Sequence, residues 1–286
     1  MASIEKLGLA TQEQTVLLDL LNHQHGLLIV VGEDAELRQV TLRTLQTYLE
    51  SQHRQVAPFQ PGTLICAEVL QAVGAVEESR PAPTVNYARS LPHFTPARPA
   101  VAVLPVIEDL GTLELACEQG LTGALVLATL EGVDGAGALA QLVHQGADAQ
   151  LLAQSTLGVI TQHTLPKACP LCRVDLAPSF ELEDSFEASF GRLGFPFPGF
   201  NLREGRGCHT CDFTGYLGTV MVYEFLHLTT QVRYVMVEHA SVDTIDGKAM
   251  EEGMLPWEAK LYFRLKHGDV ALRDAVAALE QAREWE

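Results

Sequence analysis

The sequence predicts an α/β protein built on a largely parallel sheet, followed by a tetracysteine module and a helical C-terminal region. Three observations carry that prediction. Leu27–Val31, Ala100–Leu104 and Ala124–Thr129 are continuous apolar runs, the pattern of strands buried on both faces of a parallel sheet. Segments of helical period separate them, and such alternation of strand and helix builds α/β layers. Cys169-Pro-Leu-Cys172 and Cys208-His-Thr-Cys211 then form two CxxC pairs, beyond which the chain reads helical.

Taken in order, Thr11–Asn22 (TQEQTVLLDLLN) is an amphipathic helix with Thr11 as its expected cap. His23 and His25 lie on its exit turn and are given no ligand role. Leu27–Val31 is the first strand, Arg38–Ser51 the next helix and Val56–Phe59 a short strand. Prolines 81, 83, 92 and 96 break the stretch Gly62–Arg98, which is expected to hold one helix at Leu64–Val73 and irregular linker elsewhere. Strand Ala100–Leu104, helix Leu110–Gln119, strand Ala124–Thr129 and helix Ala136–His144 follow. Ala149–Ser155 then leads into strand Leu157–Thr161.

The cysteine module covers about Pro166–Leu217. Its acidic insert, Glu181–Arg192, places Phe186 and Phe190 four residues apart on one side of a single helix. GFPFPGF (Gly194–Phe200) is a stiff apolar turn, either buried beside the cysteines or exposed as a docking patch. Four helices close the chain, at Gln231–Glu238, Thr244–Glu252, Pro256–His267 and Ala271–Trp285, with Gly253 and Gly268 as stops. They read as scaffold. The expected division is residues 1–160, 161–222 and 223–286.

Four thiols in two CxxC pairs suit a tetrahedral Zn²⁺ site, each sulfur about 2.3 Å from the ion. With four thiolates such a site is closed and structural, having no open position for water or substrate. The 35 residues between the pairs exceed a common zinc-ribbon spacing. Lengthening a loop from ~18 residues to that length costs only about 0.6 kcal/mol, against roughly 10–16 kcal/mol returned by zinc. Disulfides, which need an oxidising compartment, and a redox CxxC, which more naturally occurs once, are the competing readings. Cys66 and Cys117 lie in apolar or helical surroundings and read as buried thiols.

Net charge is −17, with 47% hydrophobic residues. That balance leaves a sizeable core. It disfavours nucleic acid, anionic headgroups or nucleotides as main partners and favours basic protein surfaces, unless the acids serve only solubility. No signal-peptide pattern opens the chain and no apolar run approaches 18 residues, so a cytoplasmic protein without membrane insertion is expected.

LGVITQHTLPKACPLC, GRGCHTCDFTGYLGTVMVYEFL and EEGMLPWEAKLYFRLKHGDVAL occur in that order, and together they resemble the C-terminal half of the ATPases that drive type II secretion and type IV pilus assembly. Gly26–Gly32 followed by Thr41-Leu42 falls on that family's strand and phosphate loop, Arg98–Leu110 on its DPDxxxxGEIRDL, and Leu121–Leu139 on its LTGHLVLSTLHTNDAAGAI. The likeness covers nearly the whole chain from about Leu7, more weakly from Thr63 to Ala97. It implies a RecA-like P-loop-type sandwich carrying a tetracysteine zinc module, with an N-terminal family domain expected to be absent.

Set beside the family motifs, the engine positions differ. GPTGSGKTT is replaced by Gly32-Glu-Asp-Ala-Glu-Leu-Arg-Gln-Val40: Ala35 and Leu37 stand for two glycines, Arg38 for the lysine and Gln39 for the Mg²⁺-binding hydroxyl. A phosphate loop needs converging N–H groups, a lysine on the β/γ oxygens and a hydroxyl on Mg²⁺. Glu33, Asp34 and Glu36 add carboxylates where a triphosphate would lie; at ~6 Å each unit-charge pair repels by about 3 kcal/mol. GEIRD becomes Pro105–Asp109, with Val106 for the glutamate and Glu108 for the arginine, while Asp109 is kept. The family's two histidines fall on Ala124 and Glu131, and its acidic box on Phe59-Gln60-Pro61.

The expectation is a catalytically inactive pseudo-ATPase, with ATP and Mg²⁺ binding disfavoured and structural Zn²⁺ at Cys169, Cys172, Cys208 and Cys211. The resemblance implies protein partners in a pilus or secretion machine, either the active ATPase or an inner-membrane platform protein, and a peripheral place at that membrane through them. Two alternatives stay open: a residual nucleotide-binding switch using Arg38 and backbone amides, and a zinc-stapled scaffold in an unrelated binding role. Monomer, ring and mixed ring are equally compatible with the sequence.

Overall fold

The computed structural model describes residues 4–58, 100–177, 179–198, 202–239 and 241–283. Its main sheet has six strands in the order β2-β3-β4-β1-β5-β8. These are β1 (Gly26–Gly32), β2 (Gln55–Pro58), β3 (Ala100–Leu104), β4 (Leu125–Glu131), β5 (Thr156–Ala168) and β8 (Tyr216–His227). All pair in parallel except β8, which lies antiparallel on β5. β6 (Arg173–Asp175) and β7 (Arg203–Gly205) form a separate antiparallel pair beside the cysteines.

Both faces of the central strands are covered. Leu27, Ile29 and Val31 face one core with α3 (Leu110–Thr122), α4 (Gly135–His144), α5 (Ala149–Ser155), α7 (Thr230–Glu238) and α8 (Val242–Glu251). Leu28 and Val30 face a second core with α1 (Thr11–Asn22) and α2 (Ala35–Ser51). Every residue of β1 is buried, which is why its apolar run has no alternation. Each fully buried Leu, Ile or Val contributes about 1.5–3 kcal/mol by leaving water.

A third core binds the cysteine end to the tail. Phe186 of α6 (Phe180–Ser189) and Phe190, which caps its C-terminus, pack with Leu165, Val220 and Val222, and with Trp257, Tyr262 and Leu265 of α9 (Trp257–Lys266). Leu272, Ala275 and Leu279 of α10 (Leu272–Arg283) close it. Phe195 stacks on Tyr262 at 4.9 Å and Phe197 meets Phe186 edge-on at 5.3 Å. The apolar turn that begins at Gly194 is therefore partly buried against α9 and α6, while Gly199 and Phe200 lie outside the described residues. The expected helix at Leu64–Val73, the acidic-box positions and Cys66 lie outside them too.

Two local expectations are corrected. Thr11 is the first helical residue of α1 rather than its cap; Ala10 is the cap, and its N–H donates to Glu13 Oε2 at 2.8 Å. The second helix starts at Ala35, not Arg38, because Asp34 accepts the N–H groups of Glu36 and Leu37 at 2.8 and 3.1 Å. The bounds near 160 and 222 fall inside β5 and β8, whose pairing runs unbroken from Gly158–His227 to Pro166–Thr219.

Candidate functional site

Two groups of side chains bear on function. The first gathers at the C-terminal ends of β1, β3 and β4, where Gly32 pairs with Glu131. In a parallel sheet this edge is where ligands are received. Asp34 turns its carboxylate onto the first free N–H groups of α2, the donors an incoming phosphate would use. Arg38 is only 4% exposed and points backward, its Nη1 donating to the carbonyl oxygens of Gly32 and Glu33. Gln39 Nε2 donates to the Pro105 carbonyl at 2.6 Å, and Thr41 Oγ1 to Gln162 Oε1 at 2.6 Å.

The loop after β3 is fastened from two sides. Ile107 N–H donates to Thr129 O at 2.9 Å, and the Thr129 hydroxyl donates to Pro105 O. Val106 is half-buried, while Asp109 caps α3 by accepting the Thr112 N–H at 2.7 Å. Glu131 ends β4 and is exposed. Glu33 is exposed and accepts a hydrogen bond from Gln281 of α10 at 2.8 Å. Partial burial raises the Glu33 carboxyl above its ordinary value against the lowering effect of that bond. Gly32, Arg38, Gln39, Val106, Asp109 and Glu131 are thus brought to one edge, and their polar groups are largely engaged with the chain itself.

The second group is the cysteines. Cys169 follows β5, Cys172 precedes β6, and Cys208 and Cys211 flank a single helical turn before β8. Their four sulfurs lie within 4.8 Å of one another. Individual separations are 3.9 Å (169–208), 3.8 Å (172–211) and 3.7 Å (208–211). A tetrahedron with metal–sulfur bonds of about 2.3 Å has an edge of about 3.8 Å, whereas a disulfide would draw two sulfurs to about 2.05 Å. The N–H groups of Gly207 and Cys208 aim at the sulfurs of Cys172 and Cys211 at 3.3 and 3.1 Å, as thiolates need. The set could hold a metal ion, and its donors suit a soft or borderline one.

The family model for type II/IV secretion system proteins matches residues 1–273. The chain belongs to that family. Among relatives of this secretion-family chain, the type II secretion system protein E of Dickeya dadantii is 28% identical over 230 residues, covering 80% of this chain and 44% of the relative. The type IV pilus assembly ATPase PilB of Thermus thermophilus is 25% identical over 279 residues, covering 96% and 30%. The chain therefore spans less than half the length of these relatives. Solved structures share the fold: the pilus retraction motor PilT with bound ADP aligns with TM-score 0.63 and 19% identity, covering 98% of this chain and 67% of that one. The Legionella pneumophila ATPase DotB aligns with TM-score 0.63 and 14% identity, covering 97% and 65%. The mixed α/β, parallel-rich architecture of this secretion-family chain is that of secretion ATPases.

Sequence reasoning passed over one group that the structure brings forward. Glu224 of β8 is 2% exposed, and His163 of β5 stacks on Trp257 at 4.0 Å between centroids. The signal was present in VMVYEFL, where a lone carboxylate interrupts an otherwise apolar strand.

Proposed function

We propose that this chain is a secretion-family member that does not turn over ATP and works through protein contacts within a pilus or secretion apparatus. One observation carries the reading: the N-terminal turn of α2 is filled by Asp34, and Arg38 is drawn back onto Gly32 and Glu33. A triphosphate would have to displace an anion from its own N–H donors, beside Glu33 and Glu36, and would meet no lysine. Val106 offers no base in place of the family's glutamate, and Glu131 offers no cation in place of its histidine. Without the lysine, hydroxyl and base together, little remains to stabilise the transferring phosphoryl group.

Zn²⁺ is the metal we assign to Cys169, Cys172, Cys208 and Cys211, as a closed structural site holding the cysteine end together. The partners proposed are the active ATPase of the apparatus or its membrane platform protein, reached at the cytoplasmic face of the membrane through protein contacts. Among the described residues no helix is long and apolar enough to cross a membrane.

Equilibrium titration of the zinc-loaded protein with ATP and ADP, with and without Mg²⁺, tests the catalytic part. Absence of binding up to millimolar nucleotide is expected. Micromolar binding would overturn it and favour a nucleotide-gated switch. Co-purification of the tagged chain with components of a secretion or pilus machine tests the partner class.

A further inference from the structure

The face of the β5–β8 pair that carries Val159 and Leu226 into the first core also carries Leu165, Val220 and Val222 into the third. Side chains of one face recur every second residue. Between the two apolar stretches the same face presents Thr161 and His163 on β5 and Glu224 on β8, with Thr161 paired to Glu224 and His163 to Val222. All three are buried, and Thr161 Oγ1, His163 Nε2 and Glu224 Oε1 have no hydrogen-bond partner. Glu224 Oε2 does accept the Trp257 N–H at 3.0 Å, which fixes the carboxyl and leaves its other oxygen unmatched. A buried polar atom without a partner costs about 1–3 kcal/mol, more when charged. Three together on one face are a costly arrangement for a sheet that could have continued apolar.

Glu224 lines a cavity of about 270 Å³. Asp134, Asp246 and Glu258 line it as well, with Trp257 and Phe195 as aromatic walls and Leu193 and Met250 at an exposed rim. We propose that this cavity is a binding site for an organic cation, a guanidinium or primary ammonium group, received on the free oxygen of Glu224.

The chemistry of the walls selects that class. Carboxylates answer positive charge, and aromatic faces add cation–π attraction for guanidinium and ammonium groups. A bare metal ion needs several oxygens converging within about 2.6 Å of one point. Among the described residues only the four cysteines bring three or more such ligand atoms together, so these carboxylates do not form an all-protein metal cage. The volume admits a guanidinium together with some of its water. The net charge of −17 draws cations toward the surface at long range. The source is either a free small cation or an Arg or Lys side chain of a partner protein.

The test is titration of the full, zinc-loaded chain by calorimetry with agmatine, with spermidine and with an arginine-bearing peptide, and separately with Mg²⁺ and Ca²⁺. Saturable binding of an organic cation is expected, with at least a tenfold loss in Glu224→Gln. Agmatine or spermidine binding alone would assign a small-molecule ligand; peptide binding at least tenfold tighter would assign a partner's side chain. Met250→Trp, which narrows the rim without touching the buried carboxyl, is expected to abolish binding while leaving the melting temperature within a few degrees. No saturable binding by any organic cation, binding unchanged in both variants, or equal binding of Mg²⁺ or Ca²⁺ would each overturn the proposal. The titration uses no nucleotide, so its failure is separate from failure of the functional reading above.

Discussion

Burial of the His163 ring lowers its pKa to about 4, against the raising effect of its hydrogen bond with the Val133 backbone. In the unfolded chain the imidazole titrates near 6.5, as a free histidine does. Below that pH the unfolded state takes up a proton that the folded state refuses, so the native protein loses stability as pH falls from about 6.5 toward 4. The full effect is about 3 kcal/mol. His163→Phe keeps the stack on Trp257 and removes the titration. Urea unfolding of both proteins across this window is expected to show their difference changing by that amount; a constant difference would mean that the ring titrates normally. Glu224 has the opposite sign. Burial, and then the nearby Asp134, Asp246 and Glu258, raise its carboxyl well above the usual range. It therefore favours the native state while protonated and costs stability as pH rises, unless a cation neutralises it. Arg38 makes a further prediction at this scale. Arg38→Ala removes the donor to two carbonyls and is expected to cost about 1–3 kcal/mol, with nucleotide binding still absent. An unchanged unfolding midpoint would count against the backward-pointing side chain.

At the scale of elements, the parallel strands were plain in the sequence because burial on both faces leaves an uninterrupted apolar run, as in β1 and β3. The helices between them followed from period. What escaped was long-range. The sequence offers no local sign that β5 continues past Thr161 to Ala168, because Gln162, His163 and Thr164 are polar and only pairing with β8 makes them strand. β6 and β7, three residues each, depend on the cysteine turns rather than on their own propensity. The site divides the same way. The cysteines were legible from spacing and the phosphate-loop positions from motif, whereas the turning of Asp34 and Arg38 onto their own backbone required coordinates. Gly205 and Gly215 illustrate a contact that no pattern announces: a Cβ at Gly205 would strike the Gly215 carbonyl, and that carbonyl accepts the Cys169 N–H at 2.9 Å. Gly205→Ala is expected to displace this strand and weaken metal retention, read as faster release of zinc to a chromophoric chelator. Release at the wild-type rate would show that the two backbones can separate freely.

For the whole molecule, the cysteine end is joined to the rest in several places. Ala168 N–H donates to Asp269 O at 2.8 Å, Arg173 Nη1 donates to Gly268 O at 2.8 Å, and Tyr216 donates to Asp274. The third core therefore rests on strands whose ends the metal would hold. Cys208→Ser, or exhaustive chelation, is expected to give a chain that aggregates or melts well below the native protein. A soluble variant with an unchanged melting curve would argue that the cysteines serve something other than structure.

The continuous register of β5 with β8 from Gly158 to Pro166 also fixes how such a loss would spread. The strands that end at the cysteines are the same ones that complete the main sheet beside β1, their pairing shifting register between Pro166 and Ala168 at the cysteine end. Slow amide exchange should accordingly cover Gly158 to Leu165 and Thr219 to His227 as one cooperative unit. Fraying begun at the thiols would be felt at the edge of β1 rather than confined to a peripheral knuckle.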